Sequence, residues 1–257
     1  MVELDVRGPV ATITLADEAR RNVLSRDTLS ELHAALDTVD DNAEVRAVVL
    51  TNRGRVFCAG ADLAARANDG GAPGAGLSDF LSRVRRSPTI FVGRIAGHCV
   101  AGGVGLAAVM DISLALDTAQ FGFSEVRVGV APAIISVVCV PKMRAGDARE
   151  AFLRGRRFSA VDAARLGLIN AALPADELDA EVDAVLDDVL AGEPTALAAA
   201  KALTYGEPGR SFDDALAAAT SLSNDLFARD AAREGMAAFL EKRPAAWVRH
   251  WPPERSS

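Results

Sequence analysis

An α/β fold with a mostly parallel sheet and a helical tail is what this 257-residue sequence predicts. Three observations carry the prediction. β-forming stretches alternate with helical periodicity as far as residue 125, almost every segment after residue 131 has helical spacing, and a 50% hydrophobic content suffices for one large core. A helical tail of that length suggests packing against neighbours in an oligomer. We therefore expect a core domain over residues 1–190 and a helical oligomerisation region over 191–257.

Each element has a local reason. Residues 2–6 and 10–15 are rich in β-formers around Gly8-Pro9, which predicts a hairpin. Ser25 is a suitable N-cap for a helix whose Leu29, Leu32, Leu36 and Val39 recur on one face. Residues 45–51 and 89–95 are buried strands, and 68–76, Gly-rich and aperiodic, predicts a mobile loop. Small residues at 102–110 predict a tightly packed helix, followed by short apolar stretches at 112–116 and 120–123. Helices are then expected at 147–154, 159–166, 175–190, 194–203, 211–227 and 230–241, with no internal repeat.

Composition excludes several function classes. A net charge of −7 and a pI near 5.1 argue against a nucleic-acid or membrane surface as partner. The N-terminus has no basic and apolar leader pattern, and the most apolar stretch, 128–140, is short and broken by Pro132, so a cytoplasmic protein is expected. Cys58, Cys99 and Cys139 are far apart, with no metal-ligand spacing to a histidine, and are expected to be buried thiols without a metal. Phosphate-loop and Gly-x-Ser-x-Gly patterns are absent. Gly103-Val104-Gly105-Leu106-Ala107-Ala108 fits a dinucleotide fingerprint poorly, because it does not follow directly on a strand. His98 is expected to be a structural hydrogen-bonder.

The most informative segments are Phe57-Cys58-Ala59-Gly60-Ala61-Asp62-Leu63 and Gly97-His98-Cys99-Val100-Ala101-Gly102-Gly103-Val104-Gly105-Leu106. Both look like loop-to-helix turns whose bare N–H groups suit a developing oxyanion, as acyl chemistry requires. Glu125, in Phe121-Gly122-Phe123-Ser124-Glu125, has two readings: a desolvated proton-transfer group, or a half-buried structural carboxylate paired with Arg127.

These segments, with Asp111-Ile112, residues 155–169 and the tail 234–243, resemble in order and spacing the enoyl-CoA hydratase/isomerase (crotonase) superfamily over nearly the whole chain. Residues 124–136 are similar to bacterial methylglutaconyl-CoA hydratase-like members. The resemblance implies a spiral of ββα units with a helical trimerisation region, assembled as homotrimers or dimers of trimers. It implies an acyl-CoA thioester as substrate, with CoA part of that substrate and no separate cofactor. Ala61 and Gly102 would supply the two N–H groups that bind the thioester oxygen, and Glu125 would exchange a proton with the substrate. Arg21, Val23, Ala59, Asp62 and Leu63 would line the CoA path, with Phe239 and Lys242 at the nucleotide end from the same or a neighbouring subunit.

One departure matters. Typical hydratases of the superfamily carry two glutamates, and the first falls here on Gly105. The resemblance then implies a hydratase that positions water by another group, with a Δ3,Δ2-enoyl-CoA isomerase using Glu125 alone and a thioester-binding protein with little turnover as alternatives.

Overall fold

The computed structural model describes residues 1–63, 74–206 and 209–252. Val2–Arg7 (β1) and Val10–Leu15 (β2) form the expected hairpin, with Val2 opposite Leu15 and Gly8 at φ +55° in the turn. Ala47–Asn52 (β3), Ile90–Ile95 (β5), Ile112–Leu116 (β7) and Ala171–Leu173 (β10) continue the sheet in parallel, giving the order β1-β2-β3-β5-β7-β10. All six residues of β3 are buried, as a central parallel strand covered on both faces requires. The edge strand β1 carries Glu3, Asp5 and Arg7, charges that discourage edge-to-edge pairing.

A second sheet was not legible. Val56–Cys58 (β4), His98–Val100 (β6), Gln120–Gly122 (β8) and Arg157–Ser159 (β9) pair in the order β4-β6-β8-β9, the first three parallel and the last antiparallel. Strands of three residues are too short to display a period of two. Together the sheets and intervening helices build a mixed α/β architecture.

The helix Arg26–Asp40 (α1) is capped by the Ser25 hydroxyl, which accepts the Thr28 N–H at 3.1 Å. Part of the expected loop is helix: Gly74–Arg86 (α2) begins inside it, because Leu77, Phe80, Leu81 and Val84 form one buried face. The rest of that loop, residues 68–73, lies outside the described residues. Gly102–Val109 (α3) is buried throughout and leads to Ala133–Cys139 (α4), Ala145–Arg154 (α5) and Ala160–Arg165 (α6). One core lies between α1, α2, α3 and the sheets. A second lies on the other face of the large sheet, where Leu178, Val182, Leu186 and Leu190 of Leu178–Ala191 (α7) cover Val10, Val49 and Val92.

The tail consists of Pro194–Tyr205 (α8), Phe212–Phe227 (α9) and Asp230–Glu241 (α10). None of the residues of α9 is buried, and Phe212, Phe227, Phe239 and Leu240 are exposed. Beyond α10 the chain returns along α7: the Trp251 indole donates to Asp183 at 2.7 Å and the Trp247 indole to the Ala191 carbonyl at 3.1 Å. Among the described residues no helix is long and apolar enough to cross a membrane.

Candidate active site

The first glycine loop is sewn to the N-terminal region. After Asp17, Arg21 and Asn22 adopt left-handed conformations, φ 56° and 52°. The Asn22 side chain, 1% exposed, makes that turn rigid: its amide donates to the carbonyls of Arg53 (3.1 Å) and Val56 (2.7 Å), and its oxygen accepts the Asp17 N–H (2.8 Å). The Leu24 N–H then donates to Gly60 O at 2.7 Å, and the Ala59 N–H to Arg21 O at 3.1 Å. Leu24 and Ala61 pair as an isolated parallel bridge.

The second loop leaves β6 through Ala101, whose φ of 51° and ψ of −121° are strained for a residue with a Cβ. Its N–H donates to Gly122 O at 2.9 Å, which fixes the loop against β8. The two loops touch. Gly60 has φ +84°, and a Cβ there would lie 2.8 Å from the Ala101 Cβ and 3.1 Å from the Gly102 nitrogen, so position 60 tolerates only glycine. Among the described residues neither the Ala61 nor the Gly102 N–H meets an acceptor. The Gly102 N–H belongs to the first turn of α3, where the helix dipole favours negative charge.

Ala61, Gly102 and Glu125 line one cavity of about 250 Å³, together with Ala59, Leu63, Ala101 and Ser124. Apolar walls come from Leu24, Leu29 and Leu77 on one set of elements and Val128, Val130 and Ile135 on another. Glu125 opens a short 3-10 helix, Glu125–Val128, and is the only ionisable side chain among the described residues that line the cavity. Its Oε2 is buried with no hydrogen-bond partner among the described residues, and burial pushes its pKa above the usual 4.5. Arg127 is not its partner: Arg127 Nε donates to Gly155 O at 2.7 Å and a terminal nitrogen to Arg154 O at 3.1 Å, carbonyls left open at the end of α5.

A carboxyl whose folded-state pKa exceeds its unfolded value holds its proton more tightly in the fold. Its contribution to stability is complete below the unfolded pKa and is lost as pH rises through the folded one. Glu125→Gln should therefore melt above the parent protein at neutral pH, and the gap should close on acidification towards 4.5. Thermal melting of both proteins from pH 4 to 8 checks the trend.

The other expected residues fall in several places. Arg21 is exposed and Val23 half-buried on the turn that pairs with the first loop. Asp62 is ion-paired with Arg20. Phe239, 82% exposed, and Lys242, at φ 54° beyond α10, are not among the residues lining this cavity in their own chain. His98 is structural, its Nδ1 accepting the Gln120 N–H at 3.1 Å, and burial with Arg157 and Arg55 nearby holds its pKa down. Burial pushes the Cys58 thiol up to about 12 and raises Cys99 and Cys139 as well, so all three are unreactive.

The glycines of α3 serve helix packing. A Cβ at 103 would lie 2.3 Å from Cys58 O, and one at 105 would lie 2.3 Å from Ile135 Cγ2 and 2.9 Å from Ile135 Cβ. Gly105→Ala should thus destabilise by about 1–3 kcal/mol through overpacking, although alanine favours helices elsewhere. Denaturant titration checks both sign and size. A larger cleft, about 840 Å³, opens between α1, α2 and α8, but its Arg83 is bound to Asp37 and Asp40 and it contains neither glycine loop.

The profile of the enoyl-CoA hydratase/isomerase family matches residues 5–250. The chain belongs to that family. A Thermus thermophilus relative, provisionally named an enoyl-CoA hydratase, is 36% identical over 95% of this chain and 99% of its own. A Clostridium acetobutylicum relative named short-chain-enoyl-CoA hydratase is 26% identical over 94% and 95% of the two chains. The solved structure of a Mycobacterium smegmatis enoyl-CoA hydratase superposes with a TM-score of 0.90 at 31% identity, covering 96% of this chain and 98% of that one. Among its described residues this member of the hydratase/isomerase family thus brings two loops with open N–H groups and one carboxyl to a single cavity.

Proposed function

We propose that the protein hydrates a 2-enoyl-CoA to the 3-hydroxyacyl-CoA through an enolate. The observation that carries this reading is the convergence of Ala61, Gly102 and the Glu125 carboxyl, whose buried Oε2 has no partner among the described residues, on one largely apolar cavity. The thioester oxygen accepts both N–H groups, whose interaction strengthens as negative charge develops on it. Water supplies OH to C3, and Glu125 governs the proton at C2. The space that a second carboxylate would need is filled at Gly105, so water is positioned by another group.

CoA is the handle of the substrate, and no separate cofactor enters the scheme. Its path runs along Arg21, Val23, Ala59, Asp62 and Leu63, with Phe239 and Lys242 at the nucleotide end of the same or a neighbouring subunit. Exposed aromatic and aliphatic side chains on α9 and α10 support a homotrimer or a dimer of trimers, with residues 1–190 as core and 191–257 as the oligomerisation region. Three buried free thiols fit a reducing cytoplasmic setting.

Isomerisation is a second reading, favoured by Glu125 being alone among ionisable groups at the described cavity wall. In it the carboxylate takes a C2 proton from a 3-enoyl-CoA and returns one to C4. A panel of crotonyl-CoA, 3-methylglutaconyl-CoA and a 3-enoyl-CoA, with products separated by chromatography, decides between them. Formation of 3-hydroxyacyl-CoA supports hydration, shift of the double bond alone supports isomerisation, and no turnover of any substrate ends both.

A further inference from the structure

Ile135 is 2% exposed, and its Cγ2 and Cβ stand 2.3 and 2.9 Å from where a Cβ on residue 105 would be. It also lines the cavity shared by Ala61, Gly102 and Glu125. The space in front of Gly105 is therefore filled with hydrocarbon carried by the neighbouring helix. Residues able to hold a water line the same cavity, namely Ser124 and Glu125, whose Oε2 has no partner among the described residues. A bound water needs a site of roughly 10–15 Å³ with two to four polar partners, and in front of Gly105 the isoleucine branch takes that volume and offers no polar atom of its own.

We propose that Ile135 is a specificity-determining residue that rations water at the substrate double bond. With the thioester oxygen held by Ala61 and Gly102, it biases the site towards protonation of a dienolate at C4 by Glu125 and away from addition of water to the 2-enoyl thioester at C3. This rests on the enoyl-CoA reading above. Both fates balance: hydration consumes one water, its hydrogen at C2 and its hydroxyl at C3, whereas isomerisation moves a proton from C2 to C4 with no net water.

The test compares the full-length protein with Ile135→Ala, Ile135→Thr and Ile135→Val. Each is given a 2-enoyl-CoA and a 3-enoyl-CoA of equal chain length, and initial rates of hydroxyacyl-CoA formation and double-bond shift are measured. Alanine opens the space, and threonine adds a hydroxyl at the volume of valine. The ratio of hydration to isomerisation should rise at least about tenfold in both. Valine keeps the Cγ2 methyl and should retain the parent ratio. If the alanine variant does not fold, the near-isosteric threonine and valine proteins decide, and equal ratios in those two overturn the proposal. Turnover of neither substrate by the parent protein would instead defeat the enoyl-CoA reading, and the proposal with it.

Discussion

Glu125→Gln is expected to lower kcat by about 10²–10⁴, the usual contribution of one acid/base group, while acyl-CoA binding stays near that of the parent. The separation follows from the geometry. In the proposed scheme Ala61 and Gly102 would bind through backbone N–H groups on loops held by Leu24, Arg21 and Gly122, none of which depends on the Glu125 side chain. Glutamine keeps the size of the side chain and removes its charge and its capacity to exchange a proton. Steady-state rates together with calorimetric titration of a non-reactive acyl-CoA check the split. Unchanged turnover would show that Glu125 is structural, and lost binding would place it in recognition. Because burial raises its pKa, activity that depends on the carboxylate should fall on acidification at a pH above 4.5, the ordinary glutamate value.

Lys201→Met should have the largest effect on stability, about 3–5 kcal/mol, since it strips a buried ion pair of one partner. Lys201, 7% exposed, donates to the carbonyls of Val84 and Thr89 at 2.9 Å and pairs with Asp111 Oδ2 at 2.8 Å. Asp111 also accepts the Phe91 N–H at 2.8 Å and the Tyr205 hydroxyl at 3.4 Å. One ammonium thus joins α8, the end of α2 and the link between α3 and β7. Methionine fills much of the volume and leaves Asp111 charged and without its cation in the interior. Denaturant unfolding measures the loss, and Asp111→Asn added to Lys201→Met should recover part of it, because the amide still accepts the Phe91 N–H without a charge. A loss below 1 kcal/mol would mean that the cluster admits enough water to solvate Asp111 unaided.

The parts of the site that were legible in sequence are those whose cause is local. Gly60 and Gly102 stand out because close backbone approach needs small residues, and Glu125 stands out for its place between apolar neighbours. Asn22 did not, since its role depends on carbonyls of Arg53 and Val56, more than thirty residues away. Its only sequence signal is that asparagine tolerates a left-handed backbone. The fit of Ile135 onto Gly105 was equally hidden, because two helices thirty residues apart meet there. Arg127 misled for the opposite reason: proximity in sequence suggested Glu125, whereas the unsatisfied carbonyls ending α5 claimed it. The sheets were legible where strands run to five or six residues and, apart from the stretch at 120–123, illegible where they run to three.

The pairing of residues 21–24 with 59–61 has a consequence for how this protein reports on itself. The candidate oxyanion pocket joins three stretches of chain that are strangers in sequence, and a polypeptide starting after residue 24 would carry both glycine loops without the seam that aligns them. Ligand binding is then possible only to molecules whose distant parts have already met. Occupancy of the pocket would act as a certificate of completed folding, drawing the population towards the native state by mass action.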